Sequence, residues 1–347
     1  MALVGNPSSV HRAGQSARAA VEAARARVAA AVGAPARSVV FTSGGTEANG
    51  LALASAASGR VLVSAIEHDS VVAHAPHAER IPVTRDGAVD LAALDALLAG
   101  GDVALVSVMA ANNETGVVQP LVEIAARVHA AGAKLHCDAT QALGKMAPPA
   151  LLWGANMLTV SAHKIGGPAG IGALVLAPGV AVPALQRGGG QEFGLRAGTE
   201  NKIGIIGFAA ALEALAQDRD WPARTGHLRD RLEATIAAVC PEALVVPSSV
   251  PRLPTVTSLW MPGVPAEVQV MAFDLAGFAV SAGSACSSGK VRPSPVLRAM
   301  GLSEAVGAQS IRVSPGWETT ADDIDAFADA WISLHARRAS KTHEVAA

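Results

Sequence analysis

From Arg37 to Gly172 the chain alternates short apolar runs with helical segments, and polar residues gather where the apolar runs stop. Ser38–Thr42, Val61–Ser64, Val103–Val108, Ala133–Cys137 and Met157–Val160 read as strands. Between them, Ala48–Ala57 and Pro120–Ala131 read as helices, and Asp90 caps another that Gly100-Gly101 closes. This rhythm predicts an α/β fold: a mostly parallel sheet with helices on both faces. Ligands of such sheets bind beyond the carboxyl ends of the strands. The polar clusters stand there: Gly44-Gly45-Thr46, Glu67-His68, Asn112-Asn113-Glu114, Asp138 to Gln141, and Ser161 to Lys164.

The flanks are organised differently. Asn6 to Ser9 reads as a turn, with Ser8 or Ser9 as the cap of a long helix running to about Val32, and no strand precedes it. Beyond Gly172, Gly188–Glu192 and Leu195–Thr199 form a polar, glycine-rich loop before a helix from Asn201 to Gln217. A second helix spans Trp221–Val239, and prolines break the chain repeatedly after Cys240-Pro241. The expected division is a large domain over 11–240 and a smaller α+β domain over 241–347, joined by 1–10. The smaller domain has strands near Thr255–Trp260 and Gln309–Val313, and Thr320 caps its last helix.

Composition removes several function classes. A net charge of -2 gives no basic field for nucleic acid. No apolar run approaches the roughly 18–20 residues that span a bilayer. The first residues lack the basic and apolar regions of a signal peptide. Cys137, Cys240 and Cys286 have no metal-ligand spacing and are odd in number, which fits a reducing cytoplasm and no metal site. Aromatics are 3% of the chain and Tyr is absent, so the core must be aliphatic.

The chemistry follows from the strand ends. Lys164 stands just past a buried strand among glycines, which suits a Schiff-base lysine whose ammonium is desolvated into its neutral form. Ser43-Gly-Gly-Thr-Glu47 joins a strand to a helix N-terminus and so offers amides, a hydroxyl and a helix dipole to an anion. A carboxylate at Asp138, ending a strand, needs a cationic partner, and a pyridinium nitrogen would serve. His68 is placed to stack on a cofactor ring or to move protons. Each has a plainer reading: a loop lysine, a glycine turn, a helix cap and a surface histidine. His74 and His77 stay with the plainer reading.

In combination these residues resemble a known family. Gly5–His11, Phe41–Glu47, Glu67-His68, Asn112–Gly116, Asp138–Gln141, Ser161–Lys164, Gly188–Glu192, Arg196–Thr199, Gly283–Cys286 and Ser310–Arg312 follow the order found in cysteine desulfurases. These are pyridoxal phosphate enzymes of the class V aminotransferase type, with a fold type I large domain. The resemblance implies that Lys164 carries the cofactor covalently, Asp138 pairs the pyridine nitrogen, and Gln141 bonds the ring hydroxyl. It implies that His68 stacks on the ring and shuttles protons, while Gly45, Thr46, Ser161 and His163 hold the phosphate. Thr199 would reach the phosphate of the other subunit of a homodimer. Arg312 and Asn113 would bind the substrate carboxylate, with Asn113 also at the cofactor. Cys286 would take sulfur from L-cysteine, leaving L-alanine and a persulfide for an acceptor protein such as an iron–sulfur scaffold. Cys286 sits in a small-residue loop near Lys290 and Arg292, where positive charge favours thiolate.

The chain departs from the resemblance at Ala169, where a lysine is common, and at Phe193 and Leu195, where polar residues are frequent. It also starts after the family's usual first strand, and its tail beyond Ala336 is short. A selenocysteine lyase, a small-amino-acid transaminase of the same class, and a clipped, non-enzymatic cofactor-binding relic are the alternatives; Cys286 argues against transamination, which needs no thiol.

Overall fold

The structure, a computed structural model, describes residues 4–56, 58–146, 153–247, 249–283 and 293–345, with side chains to 338. The chain divides into two compact units. One comprises Met1–Pro82, Val89–Ala110 and Gln119–Arg219; the other Val83–Ala88, Ala111–Val118 and Asp220–Ala347.

The first unit runs α1 (Arg12–Ala31), β1 (Val39–Thr42), α2 (Gly45–Leu53), β2 (Arg60–Ser64), α3 (Asp69–Val72), β3 (Glu79–Ile81) and α4 (Leu91–Ala99). It continues with β4 (Val103–Ser107), α5 (Leu121–Ala130), β5 (Lys134–Asp138), β6 (Met157–Ser161), β7 (Gly172–Leu176) and α6 (Lys202–Gln217). Its seven-stranded sheet has the order β1-β7-β6-β5-β4-β2-β3. The run from β3 to β6 is parallel, and β7 is antiparallel to both of its neighbours. The mostly parallel sheet is therefore as expected, with one reversed strand. β6 and β7 are buried along their whole length, so neither shows the alternation of a half-exposed strand.

Helix α1 buries one stripe, Ala17, Val21, Ala24 and Val28, at the helical spacing of three and four, and packs on α6. Its cap is His11, whose side chain accepts from the Gly14 amide, and not Ser8 or Ser9. Asp90 caps α4 as expected, accepting from the amides of Ala92 and Ala93.

The second unit contains α7 (Trp221–Ala237), β8 (Thr257–Trp260), α8 (Ala266–Leu275), β9 (Ser281–Ala282), α9 (Pro295–Ala299), α10 (Glu304–Ala308), β10 (Ser310–Val313) and α11 (Ala321–Val345). An antiparallel sheet β8-β10-β9 packs with α7, α8 and α11 around Leu232, Ile236, Leu259, Phe273, Phe327 and Trp331. Thr320 caps α11 through its hydroxyl, which accepts from the Asp323 amide.

The division differs from the expected one in three places, each with a local cause. Helix α7 belongs to the second unit because Leu232 and Ile236 lie in its core and Glu233 pairs with Arg252 at 2.7 Å, both side chains buried. Residues 111–118 join it through the Leu253 amide, which donates to Gly116 O at 2.8 Å, and the Val118 amide, which donates to Pro251 O at 3.0 Å. Residues near the start stay with the first unit: Arg18 Nε donates to Pro7 O at 2.8 Å and Lys202 Nζ to Gly5 O at 2.5 Å. The prolines after 240 shape this unit's own turns and do not mark a linker.

Candidate active site

Asp138 is the last residue of β5 and is 6% exposed. Its Oδ1 accepts from the Thr140 amide at 2.9 Å, and its Oδ2 accepts from Asn49 Nδ2 at 2.8 Å. Asn49 lies on the buried face of α2, and the same Nδ2 also donates to Ser70 Oγ at 2.8 Å. Ser70 Oγ is 2.8 Å from His68 Nδ1, which also accepts from the Ser70 amide at 3.1 Å. His68 is thus the N-cap of α3, and Asp138 is already held by donors.

Glu67 stands beside them. Strand β2 has ended at Ser64, and the Glu67 carboxylate takes over as a partner for β4's extension, accepting from the Met109 amide at 2.6 Å. Burial pushes this carboxyl well above the ordinary range; the Met109 bond opposes that, and the negative charge of Asp138 adds to it. Its Oε2 has no hydrogen-bond partner among the described residues. One strand further in, His136 is wholly buried between Ser107 Oγ at 2.8 Å and Thr159 Oγ1 at 3.0 Å. Burial drives its pKa down, outweighing the attraction of Asp138, so the imidazole is neutral.

The N-terminus of α2 meets the ends of β5 and β6. A Cβ on Gly45 would sit 3.1 Å from Thr140 Oγ1 and 3.8 Å from Ser161 Cβ, so these groups surround one point. Thr140 Oγ1 is buried and has no partner among the described residues. Gly172, at the start of β7, passes so close beneath Gly44 that a Cβ there would lie 2.8 Å from it. Ser161 Oγ is 2.9 Å from His163 Nδ1, and burial, helped by Lys164, lowers the His163 pKa. Thr46 is exposed at the first turn of the helix. Burial alone would raise the Glu47 carboxyl, but hydrogen bonds from Arg196 at 2.8 Å and the Ser43 amide at 2.7 Å lower it and pin the turn.

Lys164 follows in a 3-10 turn, Ala162–Ile165, and is exposed. The expected desolvation of its amine is therefore not supplied by this loop, because the glycines that keep the turn open also leave it to solvent. Gln141 is half-buried, and its Oε1 accepts from Lys145 at 3.0 Å, so its amide nitrogen is the group placed to donate.

Arg25 and Glu192 organise the loop that carries Thr199. They pair at 2.6 Å with both side chains 3% exposed, and Glu192 also accepts from the Phe41 amide at 2.8 Å. Glu192 and Phe193 both have positive φ, 45° and 59°, a conformation that the buried pair imposes on non-glycine residues. Phe193 lies over the Arg25 guanidinium, 5.0 Å from it, which accounts for an aromatic side chain at this position. Thr199 is exposed beside a cavity of about 270 Å³ lined by Ser43, Arg196 and Asn201.

In the second unit, Arg312 on β10 donates to the backbone oxygen of Asn113 at 3.1 Å and to Ser281 Oγ at 3.1 Å. These two expected substrate ligands are neighbours. Cys286 lies outside the described residues. Cys137 and Cys240 are buried, and burial raises both thiols, Cys240 to about 11, so neither is nucleophilic near neutral pH.

Asn49, Ser70 and Arg25 had no assigned role in the sequence reading, and Thr140 and Glu192 stood inside its motifs without one. The donor set fits a phosphorylated aromatic cation: free helix amides, an orphaned hydroxyl, Ser161 and His163 at one point, and a fixed carboxylate and a histidine at another.

The class-V aminotransferase family model matches residues 1–327. The chain belongs to this family. Class-V aminotransferases depend in general on pyridoxal phosphate. A cysteine desulfurase of Cereibacter sphaeroides is 44% identical over 92% of this chain and 86% of its own length. One of Klebsiella pneumoniae is 40% identical over 92% and 83%. Among solved structures, the NifS-like protein of Rickettsia africae superposes with a TM-score of 0.87 at 34% identity, covering 95% of this chain and 91% of its own. A structure described as SspA in complex with cysteine gives 0.75 at 27% identity, covering 90% and 91%. The chain therefore has the type I fold, α/β with a mostly parallel seven-stranded sheet.

Proposed function

We propose that this class-V enzyme is a cysteine desulfurase that uses pyridoxal 5'-phosphate, converting L-cysteine to L-alanine and leaving sulfur on Cys286. The observation that carries the reading is Asp138, a buried carboxylate held by two N–H donors with His68 tied into the same network. The relatives named cysteine desulfurase, at 44% identity or a little below, supply the reaction.

Lys164 would hold the cofactor covalently. The α2 N-terminus at Gly45 and Thr46, with Ser161 and His163, would hold its phosphate. Asp138 would pair the ring nitrogen, Gln141 would donate to the ring oxygen, and His68 would stack on the ring. When bound, the cofactor supplies an electron sink that makes the bond from carbon to sulfur breakable. Arg312 and Asn113 orient the substrate carboxylate; a guanidinium is suited to that by its planar fork. The Cys286 thiolate attacks the substrate sulfur, the S–S bond forms as the C–S bond breaks, and the carbon takes up a proton to give alanine. A homodimer lets Thr199 complete the partner's phosphate site, and an acceptor protein such as an iron–sulfur scaffold removes the sulfur. No described helix is long and apolar enough to cross a bilayer. The cytoplasm is the compartment we infer, from three cysteines without metal-ligand spacing and odd in number.

The test is cofactor loading. Protein given pyridoxal phosphate acquires a visible absorption band that borohydride removes, with the label on the Lys164 peptide. Lys164→Ala takes up phosphate-bearing cofactor without the covalent label. Wild-type protein that stays colourless contradicts the reading.

A further inference from the structure

Asn49 and Ser70 join two groups that the reaction uses separately. The Asp138 carboxylate only accepts hydrogen bonds, so the Asn49 amide must turn its NH2 towards it, at 2.8 Å. That orientation leaves Asn49 Oδ1 buried without a partner among the described residues. The second hydrogen of the NH2 points to Ser70 Oγ, also at 2.8 Å. With a lone pair so occupied, the Ser70 hydroxyl turns its own proton to His68 Nδ1, 2.8 Å away. The Ser70 amide donates to the same nitrogen at 3.1 Å. Nδ1 is then an acceptor twice over, and the ring proton sits on Nε2.

We infer that Asn49 and Ser70 are positioning residues that couple the charge of Asp138 to the tautomer of His68. Through them, the carboxylate proposed to face the cofactor's ring nitrogen reinforces the Nε2–H form of His68 that the Ser70 amide already favours. Proton movement by His68 then runs through Nε2 alone, because a proton on Nδ1 would displace both Ser70 donors. Burial supports this order: Asn49 is 1% exposed and Ser70 7%, so water does not compete for the links. The inference rests on the proposed roles of Asp138 and His68.

The chain can be read without cofactor. In apo protein labelled with ¹⁵N-histidine, His68 is assigned by its loss in His68→Gln. Wild type shows the Nε2–H tautomer with Nδ1 as a hydrogen-bonded acceptor. Ser70→Ala moves the Nδ1 resonance towards that of an unbonded acceptor. Asn49→Ala, whose side chain hydrogen-bonds Ser70 and Asp138, moves it the same way by a smaller amount, and Ser70→Thr restores it. In the loaded protein, Asn49→Ala weakens pyridoxal phosphate binding about tenfold and Ser70→Ala about threefold. The double variant loses no more than Asn49→Ala alone, because one linked unit has been cut twice. An Nδ1–H tautomer in wild type, an unmoved Nδ1 in Asn49→Ala, or losses that multiply would each overturn the coupling. Apo spectra that show the chain in a protein binding no pyridoxal phosphate support the coupling and overturn the cofactor assignment instead.

Discussion

The carboxyl ends of β5 and β6 lie side by side in one sheet and are built in opposite ways. At β5, Asp138 is buried, both oxygens are engaged, and its neighbours Asn49, Ser70 and Glu67 are buried with it. At β6, His163 and Lys164 are exposed in a short turn that ends at Gly166 with φ 76°. The difference fits the role proposed for each end. A charge proposed to face a ring nitrogen gains from being fixed in advance in a dry setting. An amine proposed to join and leave a carbonyl has to remain reachable. Folding stability is therefore concentrated at the end of β5, while after the buried strand β6 the turn at His163 and Lys164 is left open to change.

The largest effect that sharpens this contrast is on activity at β6. Lys164→Ala should reduce alanine formation by about 10³-fold or more, since it removes the covalent attachment. The cofactor-free variant should unfold within about 0.5 kcal/mol of wild type in urea, as for other exposed positions. A loss of several kcal/mol would show that both ends are structural and would break the comparison.

Next comes Glu192, which fixes the Thr199 loop from beneath. Glu192→Ala leaves the buried Arg25 with only the half-exposed Glu22, at 3.2 Å, and the Val39 carbonyl as partners, and should cost about 3–5 kcal/mol in urea denaturation. A neutral result would mean that the pair does not hold the loop.

At β5 itself, Asp138→Ala should cost the cofactor-free protein about 1–3 kcal/mol, because the Asn49 and Thr140 donors lose their acceptor. Equal stability of Asp138→Ala and wild type would deny that this end is preorganised.

The smallest effects depend on pH. The Glu67 carboxyl is raised in the folded state, so the unfolded chain releases its proton first as pH rises. Stability from this group is present at low pH and is lost above the ordinary glutamate range. Glu67→Gln should gain on wild type by at most about 1.4 kcal/mol per pH unit through that window, read from denaturation at pH 5 to 8. His136 acts with the other sign. Its folded pKa is depressed, so below the ordinary histidine value the unfolded chain binds a proton that the folded one refuses, and stability falls as pH drops from about 6.5. His136→Asn should flatten that fall; an unchanged acid limb would remove His136 from the account.

Most of the frame was legible because it is local. A strand, a polar end and a helix follow one another in the chain, so Asp138, His68 and Lys164 could be placed from spacing and chemistry. The partners that fix them were not legible, because Asn49 reaches Asp138 and Arg25 reaches Glu192 only through the fold. The sequence also placed Lys164 in a desolvating loop, since glycines were read for close approach and not for exposure. The unit boundary was misplaced because the Glu233–Arg252 pair and the core contacts of α7 lie on either side of a run of prolines. The reversal of β7 has no local signal: a buried strand reads alike in either direction.

The central claim is that sulfur leaves cysteine for Cys286. Wild type and Cys286→Ser, both loaded with pyridoxal phosphate, are given L-cysteine without reductant, and alanine and the mass of the Cys286 peptide are followed together. Wild type should form alanine in a burst and add one sulfur atom to that peptide, while Cys286→Ser binds cysteine, keeps the cofactor spectrum and forms neither product. Alanine from Cys286→Ser at the wild-type rate would contradict the assignment.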